Sequence, residues 1–295
     1  MRNSARRATA TVVVAVLAGS GIVAVSPPAP ARAAPVRASC PQAAETAAAA
    51  AIAAASCHGR VEVAAARTER DQVFANANGT FTAIQAATVQ RIRRADGTWA
   101  TPDATLRRVA GGYAPVAASL DATFSAGGTA PLAVVRRDGA ELTLRWPGAL
   151  PEPVASGGTL TYPEVLPGVD LVVTAEVEGV GETLVVKTAQ AAADPRLATV
   201  RLAATTRGMS LREGEAESLV AVSAAGKTLF SSGTPMMWDS SGQGEASTAG
   251  PAVGGATAAM PLTMAAGAAG GAAEISVQPA GNLLRGAGTR YPVYL

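Results

Sequence analysis

The sequence predicts a mainly β protein: an antiparallel β-sandwich built from hairpins and preceded by an Ala-rich helical leader. From residue 60 onward, short β-branched runs are separated by Asn-Gly and Asp-Gly pairs, which are typical of tight hairpin turns. Residues 171–178 alternate apolar and polar side chains, as a strand with one buried face does. No amphipathic helix long enough for a βαβ crossover separates these runs, so an antiparallel sandwich is favoured over an α/β sheet.

Residues 1–33 have the pattern of a secretory signal peptide. Three arginines among the first seven residues precede the apolar run 11–18, and Ala-Arg-Ala at 31–33 has the form of a cleavage site. Gly and Pro residues within 19–28 keep the apolar stretch shorter than the roughly 20 residues of a membrane span. We therefore expect a secreted protein, extracellular or associated with the cell surface, with no membrane contact after cleavage. The pair Arg6-Arg7 leaves general and twin-arginine export both open.

Residues 34–59 are predicted to form the helical leader. The interval Pro41–Ser56 is mostly alanine and starts with a proline suited to a first helical turn. A straight helix over this interval would separate the Cα atoms of Cys40 and Cys57 by about 25 Å, whereas a disulfide requires roughly 4.4–6.8 Å. Helix and intramolecular disulfide are therefore treated as alternatives. The composition favours the helix, with thiols that are free or linked between chains, while a bridge would require a bent leader.

The β-sandwich body is assigned to residues 60–239, and three hairpins are predicted within it. Their turn pairs are Asn78-Gly79, Asp96-Gly97 and Asp138-Gly139. These residue types tolerate positive φ, which predicts type I′ turns. Further strand-like runs follow at 171–178, 183–188, 199–202, 218–223 and 228–230.

The amino-acid composition changes twice in the C-terminal part of the chain. Residues 240–273 are rich in Gly, Ala and Ser, which predicts a flexible insertion or linker in which only 260–264 could pair as a strand. Residues 274–295 return to strand-like composition and stop within a strand-like run. We expect these terminal strands to be truncated, with an exposed edge near Leu295 that promotes dimerisation or aggregation.

Composition and charge exclude several classes of function. Cleavage of the signal would remove four of the 24 basic residues and leave 20 against 22 acidic residues, so no nucleic-acid partner is expected. One His and two Cys, without nucleophile-elbow, phosphate-loop or zinc-binding motifs, predict no catalytic residues, no metal and no cofactor. Glu176 and Glu178 would lie about 7 Å apart on one strand face, a separation compatible with a glycosidase pair. Such positions more often face solvent.

Four sequence blocks carry a resemblance to a known family. They are Trp146–Pro151, Tyr162–Val173, Pro235–Ser241 and Thr289–Tyr294. Together they resemble the N-terminal β-rich region of large secreted actinobacterial multidomain proteins, those with laminin-G-like, DNRLRE-type or Rhs-repeat modules. The resemblance spans residues 60–295. It implies a module that precedes other extracellular domains.

Besides Cys40 and Cys57, five residues are candidate site residues. Pro167, Gly168 and Asp170 form a structural turn that begins a strand, since Pro fixes φ and Asp bonds nearby backbone N–H groups. Trp146 and Trp238 are either core residues or a platform for sugar stacking. The predicted function is a secreted, non-enzymatic spacer or interaction platform for a cell-wall or extracellular glycan or another surface protein. Carbohydrate binding through the tryptophans is the alternative, and a glycoside hydrolase using the two glutamates is the third hypothesis.

Overall fold

Strands dominate the chain in the computed structural model, which describes residues 39–267 and 271–295. Strands account for 47% and helices for 12%, which confirms the mainly β class. The predicted signal peptide, residues 1–33, lies outside the described residues. No helix within the described ranges is long and apolar enough to cross a membrane.

The secondary structure runs from a short N-terminal strand to a short C-terminal one. The strands are β1 (Ala43–Ala44), β2 (Val61–Val63), β3 (Asp71–Ala75), β4 (Phe81–Gln85), β5 (Ile92–Arg93), β6 (Trp99–Ala100), β7 (Asp103–Val109), β8 (Gly112–Ala117), β9 (Asp121–Phe124), β10 (Ala133–Arg137), β11 (Ala140–Arg145), β12 (Val154–Ser156), β13 (Thr159–Leu166), β14 (Val169–Ala175), β15 (Val180–Val186), β16 (Val200–Arg207), β17 (Met209–Glu213), β18 (Leu219–Ser223), β19 (Thr228–Ser231), β20 (Met236–Trp238), β21 (Thr257–Ala259), β22 (Leu262–Ala266), β23 (Ala272–Val277) and β24 (Val293–Tyr294). The helices are α1 (Ala47–Cys57), α2 (Ala189–Ala192) and α3 (Gly281–Arg285), with 3₁₀ turns at Ala64–Ala66, Pro195–Ala198 and Glu215–Glu217.

Three antiparallel sheets form the sandwich body, and the strands before β7 form two smaller sheets, β1-β2-β3-β4 and β5-β6. Sheet I has the order β22-β23-β16-β11-β10-β9-β8-β7, sheet II has the order β12-β13-β14-β15-β24-β20-β21, and sheet III is β17-β18-β19. Sheets I and II share the main hydrophobic core, which includes the fully buried Phe124 of sheet I and Tyr162 and Val173 of sheet II. Sheet III packs Leu211 and Leu219 against the remaining part of sheet I. The body is therefore a sandwich whose second layer is completed by a third, smaller sheet.

The N-terminal segment contains a helix and a disulfide together, so the expectation that they exclude each other was wrong. Cys40 and Cys57 are bonded, with their Cα atoms 5.2 Å apart. The helix begins only at Ala47, because Thr46 is its N-cap and accepts a hydrogen bond from the N–H of Ala49. The residues before Thr46 run back beside β2, which β1 joins as a parallel strand. This bent arrangement brings Cys40 to the C-terminal end of α1.

Only one of the three predicted hairpins has a type I′ turn. Asp138-Gly139 has positive φ at both residues, whereas in Asn78-Gly79 and Asp96-Gly97 only the glycine does. The latter two are longer loops with a left-handed glycine after the turn. The side-chain Oδ1 of each Asx residue accepts the N–H of the threonine two positions later, Thr80 or Thr98, at 3.1 and 2.9 Å. The hydroxyl of each threonine also donates to the same Oδ1 at 2.7 Å. Ala140, which follows Gly139, has no hydroxyl to make this second contact.

Within the segment 240–273, the described residues 240–267 and 271–273 are more ordered than their composition predicts. β21 pairs with β20 at the edge of sheet II, and β22 pairs along its whole length with β23 at the edge of sheet I. The run 260–264 does contribute a strand, as its sequence suggested. Backbone hydrogen bonds to a neighbouring strand fix residues that composition alone assigns to a linker.

The C-terminal strand is an interior strand of sheet II. β24 lies between β15 and β20, and the N–H and C=O of Leu295 both bond to Leu184 at 3.0 Å. The prediction of an exposed edge near Leu295 was therefore wrong, and with it the reason to expect aggregation there. The pairing joins residues more than 100 positions apart, which the local pattern of the last residues does not reveal.

Candidate functional site

A cavity of about 770 Å³ lies where the three sheets meet. One wall is the inner face of sheet I, a second is the end of sheet II near β15 and the C-terminus, and the third is sheet III. The apolar side chains that line it include Leu142, Leu144, Leu202, Ile275, Leu171, Leu184, Leu295, Leu211, Leu219, Ala221 and Phe230.

Several of these side chains point inward yet are only half-buried. Leu142 and Leu202 occupy the inner face of sheet I, where the strand pairs set Leu142 opposite the buried Val135, and Leu202 opposite the buried Ile275. Both nonetheless keep partial exposure. Protein interiors are normally packed as densely as organic crystals, so partial exposure of inward-facing leucines shows that side chains do not fill this part of the sandwich.

The volume is too large for a sealed void. An enclosed and empty cavity of 770 Å³ would destabilise the fold by about 18 kcal/mol, at about 24 cal/mol per Å³ of cavity. The whole stability of a typical domain is about 5–15 kcal/mol. The cavity must therefore be open to solvent or filled by a ligand. Its lining reaches the surface at three exposed residues: Ser231, the last residue of β19, and Ser232 and Gly233, which follow it.

Glu182 brings a carboxyl group into this apolar lining. It is opposite Val173 in the β14–β15 pair, and shares the inner face of β15 with the buried Leu184 and Val186. The residue is half-buried. Its Oε1, however, is fully buried and accepts no hydrogen bond, and it is the sole buried side-chain oxygen or nitrogen without a partner among the residues described. Burial raises the pKa of the Glu182 carboxyl to about 7.

The other charged residues of the lining have partners. Arg137, at the end of β10, donates a hydrogen bond to the carbonyl of Leu229 at 3.2 Å. Glu178 forms an ion pair with Arg70 and accepts the N–H of Val89 at 3.2 Å. Neither contributes to the raised pKa of Glu182, whose cause is desolvation alone. The carboxyl of Glu182 is thus the lining charge that still lacks a partner.

Glu182 was not among the predicted site residues, although the sequence contains a signal for it. The predicted strand began at Thr183, whereas β15 begins at Val180. Extending the alternation backward from Val186 and Leu184 places residue 182 on the same inner face. A glutamate at an inward position of an otherwise apolar face was the signal for this site.

Both candidate tryptophans border the cavity, and both are half-buried. Trp146 packs against the main core. Trp238 stacks on Tyr294 with ring centroids 5.7 Å apart, and its indole N–H donates to the carbonyl of Ser247 at 3.0 Å. One face and the polar edge of Trp238 are therefore committed to internal contacts. The structure does not combine the two rings into an exposed platform, and sugar binding stays a prediction.

Pro167 and Gly168 form the two-residue turn between β13 and β14, and Asp170 is the second residue of β14. Gly168 has φ +72°, and a Cβ there would come within 2.8 Å of the Cβ of Ala191. Asp170 Oδ1 accepts the backbone N–H of Glu164 at 2.9 Å, and the same oxygen pairs with the Lys187 ammonium at 2.7 Å. These contacts hold the turn together, and none of the three residues lines the cavity.

The two glutamates of the hydrolase hypothesis do not share a strand face. β14 ends at Ala175, so Glu176 and Glu178 lie in the turn before β15. Glu176 is exposed, and Glu178 is held by Arg70. The glycosidase hypothesis was therefore wrong in its geometry, because it extended the strand beyond the residues that pair.

The fold and the site define a β-sandwich with an apolar cavity between its sheets, which reaches the surface and carries one unpartnered carboxyl. Within residues 39–267 and 271–295, no three His, Cys, Asp or Glu side chains are grouped as a metal site would need. Comparisons with protein-family models, with curated proteins and with solved structures gave no match to this chain. The resemblance of the four sequence blocks to secreted multidomain proteins stays a prediction.

Proposed function

We propose that this chain is a secreted, non-catalytic β-sandwich module that binds a small apolar molecule in the cavity between its sheets. The cavity is the observation that carries the proposal. Its volume of about 770 Å³ lies within the roughly 300–1,000 Å³ of small-molecule sites, which are mostly apolar with a few polar groups. The signal-like N-terminus supports an extracellular location.

A spacer would not require such a cavity. A module selected only for shape and stability gains from a filled core, because each unfilled volume element loses dispersion contacts and apolar burial. Three sheets instead hold leucine side chains around an open space, and the polar residues Ser231 and Ser232 lie at its surface end. An interaction-platform role is retained in this proposal, with a small molecule as the partner.

Titration with an uncharged solvatochromic dye such as Nile red tests the proposal. Saturable binding with a blue-shifted emission is expected, because the dye moves from water into an apolar site. Ala221→Leu extends a side chain of sheet III into the cavity and should weaken binding by about tenfold or more, as added methylenes in tight apolar sites do. Ala225→Leu is the matched control, because Ala225 is exposed in the hairpin turn that follows β18.

The result of this titration is decisive either way. Equal dye binding by wild type and Ala221→Leu, or no saturable binding by wild type, would contradict the proposal. A panel of soluble glycans, followed by tryptophan emission, belongs in the same experiment. Trp146 borders the cavity, so a saturable change with a sugar and none with the dye would favour the carbohydrate alternative.

A further inference from the structure

We propose that the ligand of the cavity is an aliphatic amine, with its hydrocarbon part against the leucine walls and its ammonium group paired with Glu182. This inference rests on the proposed function, and it adds the chemical class of the ligand. The apolar lining selects a hydrocarbon body, and the carboxyl selects the polar end.

The position of Glu182 makes it a receptor for a group inside the cavity. Its neighbours on the inner faces of β14 and β15 are the apolar Val173 and Leu184, and its Oε1 has no donor from the protein. A buried polar atom without a partner costs free energy. A ligand that supplies an N–H donor would remove that cost, whereas a purely hydrocarbon ligand would leave the atom without a partner.

A cationic donor fits this position better than a neutral one. Charge-assisted hydrogen bonds are roughly twice as strong as neutral ones, and an ion pair gains strength where apolar walls exclude water. An ammonium group has three donors and no acceptor, which complements a carboxylate that only accepts. No cation of the protein contributes to the environment of Glu182, so this position is open to a cation of the ligand.

An anionic amphiphile is the competing ligand class, and Arg137 is the lining group that could receive it. The guanidinium of Arg137 already donates to the carbonyl of Leu229, and the residue is exposed to water. Solvent would therefore weaken its attraction for an anion. An anion placed in the cavity would also be repelled by the ionised Glu182. The geometry consequently favours the amine over a carboxylate of equal chain length.

Three ligands of equal chain length test the inference by calorimetry at pH 8: octylamine, octanol and octanoate. Wild type should bind octylamine about tenfold to a hundredfold more tightly than octanol, the range expected for a hydrogen bond to a charged partner. Octanoate should bind most weakly. Glu182→Gln should abolish the preference for octylamine while it retains octanol. Glu176→Gln is the control, because it removes an exposed carboxylate next to the same strand.

The outcomes separate the two proposals. Equal affinity of wild type for octylamine and octanol, or an amine preference that survives in Glu182→Gln, would overturn the amine inference while leaving the apolar site intact. A preference for octanoate would also overturn it and would point to Arg137. Binding of none of the three, together with no binding of the neutral dye, would overturn the proposed function itself.

Discussion

Replacing Glu182 by glutamine should stabilise the protein, and only above the pH range in which the native carboxyl is protonated. Burial raises the pKa of this carboxyl from 4.5 to about 7 in the folded state. The folded protein therefore binds the proton more tightly than the unfolded chain does. The stabilisation from this proton is fully present below about pH 4.5, and it is lost as the pH rises through about 7.

The magnitude follows from the same change in pKa. Each pKa unit corresponds to about 1.36 kcal/mol, so the rise from 4.5 to about 7 is worth at most about 3.4 kcal/mol. Partial exposure of the residue reduces this value through solvent screening. Glutamine resembles the protonated acid in shape and charge. Glu182→Gln should therefore match wild type near pH 4 and exceed its free energy of unfolding at pH 8.

Urea denaturation at the two pH values measures this difference directly, because the midpoint and slope give the free energy of unfolding. Glu176→Gln controls for the loss of one negative charge from the same region. A Glu182→Gln variant that is less stable than wild type at pH 8, or a difference that does not depend on pH, would refute the reasoning about the buried carboxyl.

Three further predictions concern the stability of the fold. Replacing Cys40 and Cys57 by serine should lower the free energy of unfolding by about 3 kcal/mol, as expected for a loop of this length; an unchanged urea midpoint would contradict the bridge. Gly168→Ala should lower the free energy of unfolding by about 1–3 kcal/mol, because it adds a steric clash to a positive φ. Gly79→Ala is the control, since Gly79 has a positive φ without the clash, and its loss of stability should be smaller. A larger loss in Gly79→Ala than in Gly168→Ala would be inconsistent with the turn described. Tyr162→Phe should lower the free energy of unfolding by about 1–2 kcal/mol in the same assay, since the carbonyl of Ser125 would lose the hydroxyl that donates to it at 2.8 Å. An unchanged free energy of unfolding would show that this hydrogen bond does not stabilise the core.

The sequence was informative wherever structure depends on near neighbours. The alternation around Leu171 and Val173 predicted the buried face of β14, and the Asp138-Gly139 pair predicted its hairpin. The start of α1 could also have been predicted from the sequence, since threonine, the residue at position 46, is a favoured N-cap residue. The prediction took all of Pro41–Ser56 as one straight helix instead. Because such a helix would hold the two cysteines far apart, it excluded the disulfide.

The features that could not be predicted from the sequence depend on distant partners. β24 lies inside sheet II because it pairs with β15, more than 100 residues earlier. β22 is ordered by β23, although its surroundings are rich in Gly and Ala. The cavity arises from the way three sheets meet, which no local pattern encodes. The inward position of Glu182, by contrast, follows from simple alternation in β15.

The ligand-binding cavity is tested most directly by a crystal structure of the protein soaked with bromine-labelled octylamine. We expect anomalous bromine density between Leu142, Leu202 and Leu219, with the amine nitrogen within hydrogen-bond distance of the Glu182 carboxylate. A sandwich in which these leucines close on one another, with bromine absent from the space between the sheets, would contradict the claim that this fold encloses a ligand-binding cavity.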